Sequence, residues 1–384
     1  MTGMPMMTAA TIGGALSFGM TLALLGRLKL AVARRVPAED GAIRRWLLAL
    51  NIALIPLVLL SGVLTDIYGA RSILVAGSAM LAVALVSLSL RPIYPHAFAS
   101  ILLAGFGASA LGTASTVLMP RVFFVTDETS AALNLGYVFI ALGALLTPVL
   151  TDILLEKIEL RRTLAVLALL ALIPAFLGVF PSSEHWQIAA PPDNPSSLFA
   201  QASTWSAALV LFFYAPLEAA ISLWAFTLLA EREQDEREAT GLLSGFWVAF
   251  VASRLLVALA QHMDFLTEWW DRVLIVVPPL LAAVLLGNLA GASQRGRPRT
   301  GLILLGLLLG PVLPTLLGSV FRAAPGGQGT AYGLMFAAGS LGSVLLAPFA
   351  KLRSQPPLQA ALRVPIFLAL LVTATALVLG LMTP

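Results

Sequence analysis

The 384-residue sequence contains no cysteine and very little charge. Without cysteine, disulfide frameworks, thiolate metal sites and cysteine nucleophiles are excluded. Charged residues make up 11% of the chain, whereas soluble proteins carry roughly 25%. The only long polar stretch is residues 181–203, so no large soluble domain fits. These absences indicate a membrane protein.

Motifs of catalysis are missing as well. The three histidines are His96, His185 and His262, and none has the His-Glu-x-x-His spacing of a zinc hydrolase. No Gly-x-Ser-x-Gly nucleophile elbow occurs. The basic residues lie in short loops, which does not suggest nucleic-acid binding. We therefore expect no enzyme activity, no cofactor, no bound metal and no nucleic-acid partner.

What the chain does contain is hydrophobic residues, which make up 59% of it. A hydrocarbon core about 30 Å thick needs roughly 20 apolar residues in a helix to cross it. The apolar runs are continuous rather than alternating, which predicts helices instead of a β-barrel. We predict an all-α protein with twelve transmembrane helices, over residues 8–28, 46–65, 72–90, 97–119, 131–151, 163–180, 204–229, 239–260, 272–290, 300–320, 330–350 and 363–382.

The polar, proline-rich segment 181–203 divides these spans six and six. We predict two pseudo-symmetric six-helix bundles, residues 1–180 and 204–384, joined by this central linker. A weak internal repeat supports the duplication. Span 5 has Gly136-x-x-Phe139 before Pro148, and span 11 has Gly333-x-x-Phe336 before a second Leu-Leu-x-Pro.

Two charged residues lie well inside predicted spans, Glu218 in span 7 and Arg254 in span 8. Ionisable groups are costly in the bilayer, so such residues are candidates for function. Glu218 can accept hydrogen bonds from a substrate, hold a cation or carry a proton. The structural alternative is an acid paired with Arg254 across adjacent helices, and we expect Arg254 to be a structural charge.

Other polar and aromatic groups suggest a lining for a small neutral polar ligand. The further candidates for substrate binding are Trp224, Trp247, Asn134, Thr116 and Thr315. The two indoles can stack on the apolar faces of a sugar, although core packing explains them equally well. Pro148, Pro311 and Pro314 are candidate helix hinges, with ordinary packing kinks as the alternative.

The loop between spans 2 and 3 carries a recognisable pattern. Gly62, Asp66, Gly69 and Arg71 resemble the signature loop of the major facilitator superfamily, with Ile67 in place of its first basic residue. The resemblance implies that fold, and a loop that latches the two halves in one access state. Asp66 can accept hydrogen bonds from a neighbouring helix end or pair with Arg71, and a plain helix-end ion pair is the structural alternative.

Within the superfamily the chain is most similar to the fucose and glucose/galactose symporter branch. The stretches that carry this resemblance are Asn134–Phe139 through Pro148, Tyr214–Trp224, Gly241–Arg254 and Gly310–Thr315. The branch's acids are missing, because span 1 has no Asp or Glu and Gly112 and Thr116 occupy the matching places in span 4. Proton coupling through the first half therefore loses its usual carriers.

These features predict a monomeric secondary transporter that moves a small neutral polar solute, such as a sugar, by alternating access. A coupling proton or sodium ion would act through Glu218, or transport is uncoupled facilitated diffusion. Efflux of amphipathic organic molecules is an alternative, and so is a non-transporting membrane scaffold with the same fold.

We expect a multi-pass protein of the plasma, or inner, membrane, but two signals disagree on its orientation. The family implies cytoplasmic termini and a cytoplasmic signature loop. Eighteen of the 23 Lys and Arg residues fall in the loops on the opposite side, where the positive-inside rule would place the cytoplasm. We favour the family orientation.

A single cysteine at Pro37, in the loop between spans 1 and 2, tests this orientation. We expect a membrane-impermeant maleimide to label the Pro37→Cys variant in intact cells. The unmodified chain has no cysteine and supplies the blank. Labelling that requires permeabilised cells would instead support the orientation given by the charges.

Overall fold

The computed structural model describes residues 3–35, 40–90, 94–124, 128–179, 201–231, 236–267, 269–291, 298–352 and 362–382. Side chains in 3–4, 25–35, 40–48, 50, 94–95, 222–243, 291, 298–299, 347–352 and 381–382 are not described, nor is most of the predicted linker. The helices in these ranges are α1 (Gly3–Arg35), α2 (Asp40–Tyr68), α3 (Ala70–Leu90), α4 (Tyr94–Val122), α5 (Thr129–Lys157), α6 (Leu160–Val179), α7 (Ala202–Glu231), α8 (Glu236–His262), α9 (Trp269–Gly291), α10 (Pro298–Leu309), α11 (Val312–Ala323), α12 (Gln328–Leu352) and α13 (Arg363–Met382).

Twelve segments of these helices are long and apolar enough to cross a membrane. They agree with the predicted spans, and the all-α class with twelve crossing helices is confirmed. The tenth span departs from a simple helix, because α10 and α11 are its two pieces. The sequence pattern predicts a single run over 300–320, and the structure breaks it in the middle.

Hydroxyl side chains inside the spans are largely satisfied by their own helices. Thr65 donates to the carbonyl of Ser61 at 2.7 Å, Thr113 to Ser109 at 2.8 Å and Thr373 to Ala369 at 2.9 Å. No water is available in hydrocarbon, so a hydroxyl that bonds the carbonyl four residues back needs no other partner.

The chain forms two compact units that are not simple halves of the sequence. The first contains Met1–Asp127, Leu135–Pro195 and Ala324–Leu334. Within it α3 packs on α4 and α6, α1 packs on the same two helices, and α2 packs on α4. The second contains Glu128–Asn134, Ser196–Ala323 and Met335–Pro384. There α8 packs on α10, and both α7 and α9 pack on α13.

Glycines bring matching helices together in both units. A methyl group on Gly143 of α5 would overlap the Leu16 carbonyl of α1, and one on Gly342 of α12 would overlap the Phe212 carbonyl of α7. Spans 5 and 11 hold matching places in the predicted repeat, and α1 and α7 begin their respective halves. Small residues at such crossings let helix backbones touch in lipid. The shared packing therefore agrees with an internal duplication.

The first turn of α5 is held in the second unit by a buried polar cluster. The Ser130 hydroxyl donates to Asp271 Oδ2 at 2.5 Å, and the Arg322 guanidinium donates to the same oxygen at 2.6 Å. Arg322 also donates to the Ser130 hydroxyl at 3.0 Å, and the Gln261 amide donates to Asp271 Oδ1 at 2.8 Å. Asp271, only 3% exposed, is thus surrounded by donors from three other segments.

A second polar pair lies next to this cluster at the surface. His262 Nδ1 lies 3.0 Å from Glu128 Oε2, with 49% of the histidine side chain exposed. Exposed pairs of this kind contribute roughly 0.2–1 kcal/mol, whereas removing one partner of a buried pair costs about 3–5 kcal/mol. The two pairs therefore differ in their expected contribution to stability.

We expect Gly143→Ala to destabilise the protein by about 1–3 kcal/mol, because the added methyl group overpacks the contact between α1 and α5. Gly287→Ala is the matched control, since nothing lies within 4 Å of a methyl group placed there. Thermal unfolding of the purified proteins in detergent measures both. Equal melting temperatures for the two variants would contradict the close contact.

We expect Arg322→Met to lower the melting temperature well beyond the effect of His262→Gln. The first change leaves Asp271 buried beside fewer donors, and the second removes only an exposed partner. The double variant Arg322→Met/Asp271→Asn should recover part of the loss, because it also removes the buried charge. No recovery in the double variant would argue against a direct interaction of the two residues.

Candidate functional site

The break in the tenth span exposes backbone polar groups at membrane depth. α10 ends at Leu309 and α11 begins at Val312, with Gly310 and Pro311 forming a turn between them. Proline has no N–H group, so Pro311 and Pro314 remove two donors from this span. A lipid environment offers no replacement, and the carbonyl groups at the break must find partners in the protein.

Two side chains from neighbouring helices supply these partners. The Tyr214 hydroxyl of α7 donates to the Leu309 carbonyl at 2.6 Å, and Arg254 Nε of α8 donates to the Gly310 carbonyl at 2.8 Å. Both side chains are buried, with 1% and 6% of their surface exposed. The Arg254 guanidinium also lies 4.3 Å from the centre of the Phe250 ring, a favourable cation–π position. Arg254 is therefore attached to the break itself.

Glu218 lies at this same place. It follows Tyr214 by four residues on α7, which puts both side chains on one face of the helix. The carboxyl group lies close to the Tyr214 hydroxyl and to the Arg254 guanidinium. The two charged residues predicted inside spans are thus neighbours, as the pairing alternative requires. Because Glu218 is only partly buried, a role in transport remains open to it and stays a prediction.

Two further candidates meet one turn beyond the break. Asn134 Nδ2 of α5 donates to Thr315 Oγ1 of α11 at 3.1 Å and to the Ser130 carbonyl at 3.0 Å. Both side chains are completely buried. The Asn134 Oδ1 atom makes no hydrogen bond within the described part of the chain. This buried amide oxygen is therefore an unused acceptor among the described residues.

The remaining candidates are two tryptophans and three prolines. Trp247 of α8 is partly exposed, and its ring makes edge contacts with Phe246 and Phe250, which lies under Arg254. Trp224 lies in α7, but its side chain is outside the described residues. α5 continues through Pro148 without interruption. Of the predicted hinges, Pro311 lies at an actual break and Pro314 in the first turn after it.

Thr116 belongs to the first unit, where it meets two tyrosines. Its hydroxyl lies beside that of Tyr332 from the start of α12, which also approaches Tyr137 of α5. The three side chains are buried, with at most 4% of their surface exposed. Nearby, Ser115 has a buried hydroxyl that makes no hydrogen bond within the described residues. This cluster offers neutral hydroxyl groups and no charge.

Asp66 of the signature loop contacts the end of a neighbouring helix, which is one of the two partners that the sequence pattern predicts. The Asp66 carboxylate accepts hydrogen bonds from the backbone N–H groups of Gly329 at 2.8 Å and Thr330 at 2.6 Å. These are orphan donors in the first turn of α12, which an anion caps favourably. A side chain on Gly62 would overlap the Gly329 carbonyl, so α2 and α12 touch through their backbones.

The other two loop residues shape the turn. Gly69 has a φ of +83°, the left-handed conformation that glycine adopts without strain. Arg71 donates to the carbonyls of Gly178 at 2.7 Å and Val179 at 3.3 Å, at the end of α6. A cation is favourable at that helix terminus. Asp66 and Arg71 thus each hold the end of a different helix.

Several residues that make these contacts are not among the site residues predicted from the sequence. Tyr214 has one usable signal, its position four residues before an intramembrane acid. Ser130, Asp271 and Arg322 lie near span ends, where polar residues are ordinary and give no signal. Tyr137 and Tyr332 lie inside predicted spans, where an aromatic residue ordinarily indicates core packing.

Comparison with known proteins gives a consistent result. The family model described as Major Facilitator Superfamily matches residues 11–347. No curated protein matches significantly. Among solved structures, a fucose:proton symporter from E. coli superimposes with a TM-score of 0.76 at 16% identity, with 98% of each chain covered.

Two other solved structures are similar to about the same degree. A proton:xylose symporter bound to 6-bromo-6-deoxy-D-glucose has a TM-score of 0.75 at 13% identity, covering 100% of this chain and 96% of its own. The human organic anion transporter has a TM-score of 0.74 at 16% identity, covering 97% and 98%. At such identities the likeness concerns the fold. This chain is an integral, multi-pass membrane protein that belongs to the Major Facilitator Superfamily.

Proposed function

We propose that the protein is a secondary transporter that moves a small neutral polar solute, such as a sugar, by alternating access. The observation that carries this proposal is the chemistry of the buried polar groups. In the second unit Asn134 and Thr315 offer an amide and a hydroxyl group, and the two intramembrane charges, Glu218 and Arg254, lie together and offset each other. The first unit separately offers the neutral hydroxyl groups of Thr116 and Ser115. A charged solute would find no net charge opposite it.

The arrangement suits a polyhydroxylated ligand in particular. Such a ligand needs acceptors and donors at several points, and the free Asn134 Oδ1 atom and the Glu218 carboxylate are two acceptors. The partly exposed Trp247 ring offers an apolar face for C–H groups. The proton-linked sugar symporters among the similar structures support sugars as the first solutes to test and a proton as the coupling ion.

Alternating access requires contacts that are made in one state and broken in another. The hydrogen bonds from Gly329 and Thr330 to Asp66 are suited to this purpose, because they join the end of α2 to the start of α12. We propose that they stabilise one access state, and that the break at Pro311 accommodates the movement of the tenth span.

We expect purified protein in proteoliposomes to take up at least one of L-fucose, D-xylose and D-glucose saturably. Thr315→Val should reduce that uptake by about tenfold or more, because it removes the hydroxyl group that accepts from Asn134 in a site where a lost hydrogen bond costs about 1–3 kcal/mol. Thr373→Val is the matched control, since that hydroxyl bonds only its own helix. Uptake is measured with radiolabelled solute, with and without a pH gradient.

Two outcomes would contradict the proposal. One is transport of lipophilic or anionic compounds with no uptake of any neutral solute, which would support efflux of amphipathic molecules. The other is equal loss in Thr315→Val and Thr373→Val, which would place the effect in the fold rather than the site. Absence of transport together with the absence of any ligand-dependent thermal shift would favour a non-transporting scaffold.

A further inference from the structure

The turns that follow α2 and α8 carry large apolar side chains on their outer surface. In the α2–α3 turn Ile67 and Tyr68 are 52% and 65% exposed, and in the α8–α9 turn Met263 and Phe265 are 60% and 71% exposed. The predicted repeat makes these two turns counterparts, one in each half. Ile67 is also the residue that stands where the signature loop has its first basic residue. Exposed apolar groups of this size at one place indicate an interaction surface.

The backbone of each turn is fixed by a helix cap, so these side chains project in defined directions. Gly69, with a φ of +83°, ends α2 and donates its N–H to the Thr65 carbonyl at 3.0 Å. Asp264, with a φ of +58°, ends α8, and the Phe265 N–H donates to the Ala260 carbonyl at 2.9 Å. In such a cap the residue after the left-handed one frequently packs back on its own helix. Phe265 is mostly exposed, so its ring is not used in this way.

Each set of exposed side chains continues a surface that lipid covers. Ile52, Leu60 and Ile67 are exposed on one face of α2, and Leu259 and Met263 are exposed one turn apart on α8. Both helices cross the membrane, and acyl chains cover the exposed apolar face of a crossing helix. A partner protein in solution would reach only the end of such a surface. Continuity with the lipid-facing surface therefore favours lipid as the occupant of both turns.

The polar groups of the turns set a limit on their depth. Asp264 is exposed between Met263 and Phe265, and a charged side chain is costly inside hydrocarbon. Tyr68 combines an apolar ring with a hydroxyl group, and tyrosine is enriched where headgroups meet acyl chains. By contrast, the turn between α5 and α6 exposes Glu156 and Glu159. Apolar exposure is thus not a general property of the turns of this chain.

We propose that the α2–α3 and α8–α9 turns are membrane anchors, defined by Ile67 and Tyr68 in the first and by Met263 and Phe265 in the second. These side chains insert into the boundary between phospholipid headgroups and acyl chains, and the polar atoms of the turns remain among the headgroups. The inference concerns the partner of a surface and holds whichever solute the protein moves.

The anchors adjoin the groups that hold the starts of α5 and α12. Asp66, which accepts from the first turn of α12, directly precedes Ile67. Gln261 is separated from Met263 by one residue and donates to Asp271, which also accepts from the first turn of α5. Lipid contact at the anchors therefore fixes the depth at which both helix starts are held.

The absence of native cysteine permits a direct test with single nitroxide labels. Ile67→Cys and Phe265→Cys place one label on each anchor, and Met263→Cys is a second variant of the α8–α9 anchor. Glu159→Cys is the matched control, because it is an exposed position on a turn with charged neighbours. The labelled proteins are reconstituted in phosphatidylcholine vesicles. Power-saturation electron paramagnetic resonance then measures collisions with oxygen, which concentrates in lipid, and with a neutral nickel chelate, which stays in water.

We expect the ratio of oxygen to nickel collisions to be several-fold higher at Ile67→Cys, Phe265→Cys and Met263→Cys than at Glu159→Cys. Leu280→Cys, on the exposed face of α9 well inside its span, gives the value for hydrocarbon, which should be higher still. All five positions are exposed, so the melting temperatures of the unlabelled variants should match that of the unmodified protein and verify that each variant folds.

Three results would overturn the proposal. A ratio at the anchor labels equal to that at Glu159→Cys would place the turns in water. A ratio equal to that at Leu280→Cys would place them within the hydrocarbon instead of at its boundary. Low collision rates with both reagents at Phe265→Cys would show that protein, such as a second copy of this chain, covers the surface. Sugar uptake affects none of these readings, so failure of the proposed function is distinguishable from failure of the anchors.

Discussion

Hydrocarbon offers no hydrogen bonds, and every polar group of the tenth span must therefore be satisfied by protein. Breaking that span at Pro311 leaves the Leu309 and Gly310 carbonyls in need of donors. Tyr214 and Arg254 meet that need, and Arg254 in turn requires an anion, which Glu218 provides. A local backbone defect thus accounts for the two charges within the bilayer and for their position opposite each other.

The first turns of α5 and α12 are held by two aspartates that use different chemistry. Asp66 accepts from the main-chain N–H groups of Gly329 and Thr330 at the start of α12. Asp271 instead accepts from the side chains of Ser130, Gln261 and Arg322. The starts of α5 and α12 are therefore secured in two different ways, by side-chain donors around Asp271 and by main-chain donors at Asp66.

Some features of this fold and of the candidate site can be predicted from the sequence, because each has a physical cause that leaves a pattern in the sequence. Run length against bilayer thickness predicts all twelve crossings, and the energetic penalty of charge in lipid singles out Glu218 and Arg254. The signature pattern predicts that Asp66 either caps a neighbouring helix end or pairs with Arg71. In the structure Asp66 caps the start of α12. Proline indicates a weak point in the tenth span, but not the donors that compensate it, because apolar composition does not specify which face of α7 carries Tyr214. Polar residues at span ends, such as Ser130 and Asp271, give no signal until the helices are assembled.

The contact between α2 and α12 has a mechanical consequence. At Gly62 and Gly333 the backbones of α2 and α12 lie directly against each other, and the side chains of Thr65 and Asp66 reach Gly329. The two helices therefore meet backbone to backbone at these two glycines, and a side chain at either position would hold the helices apart.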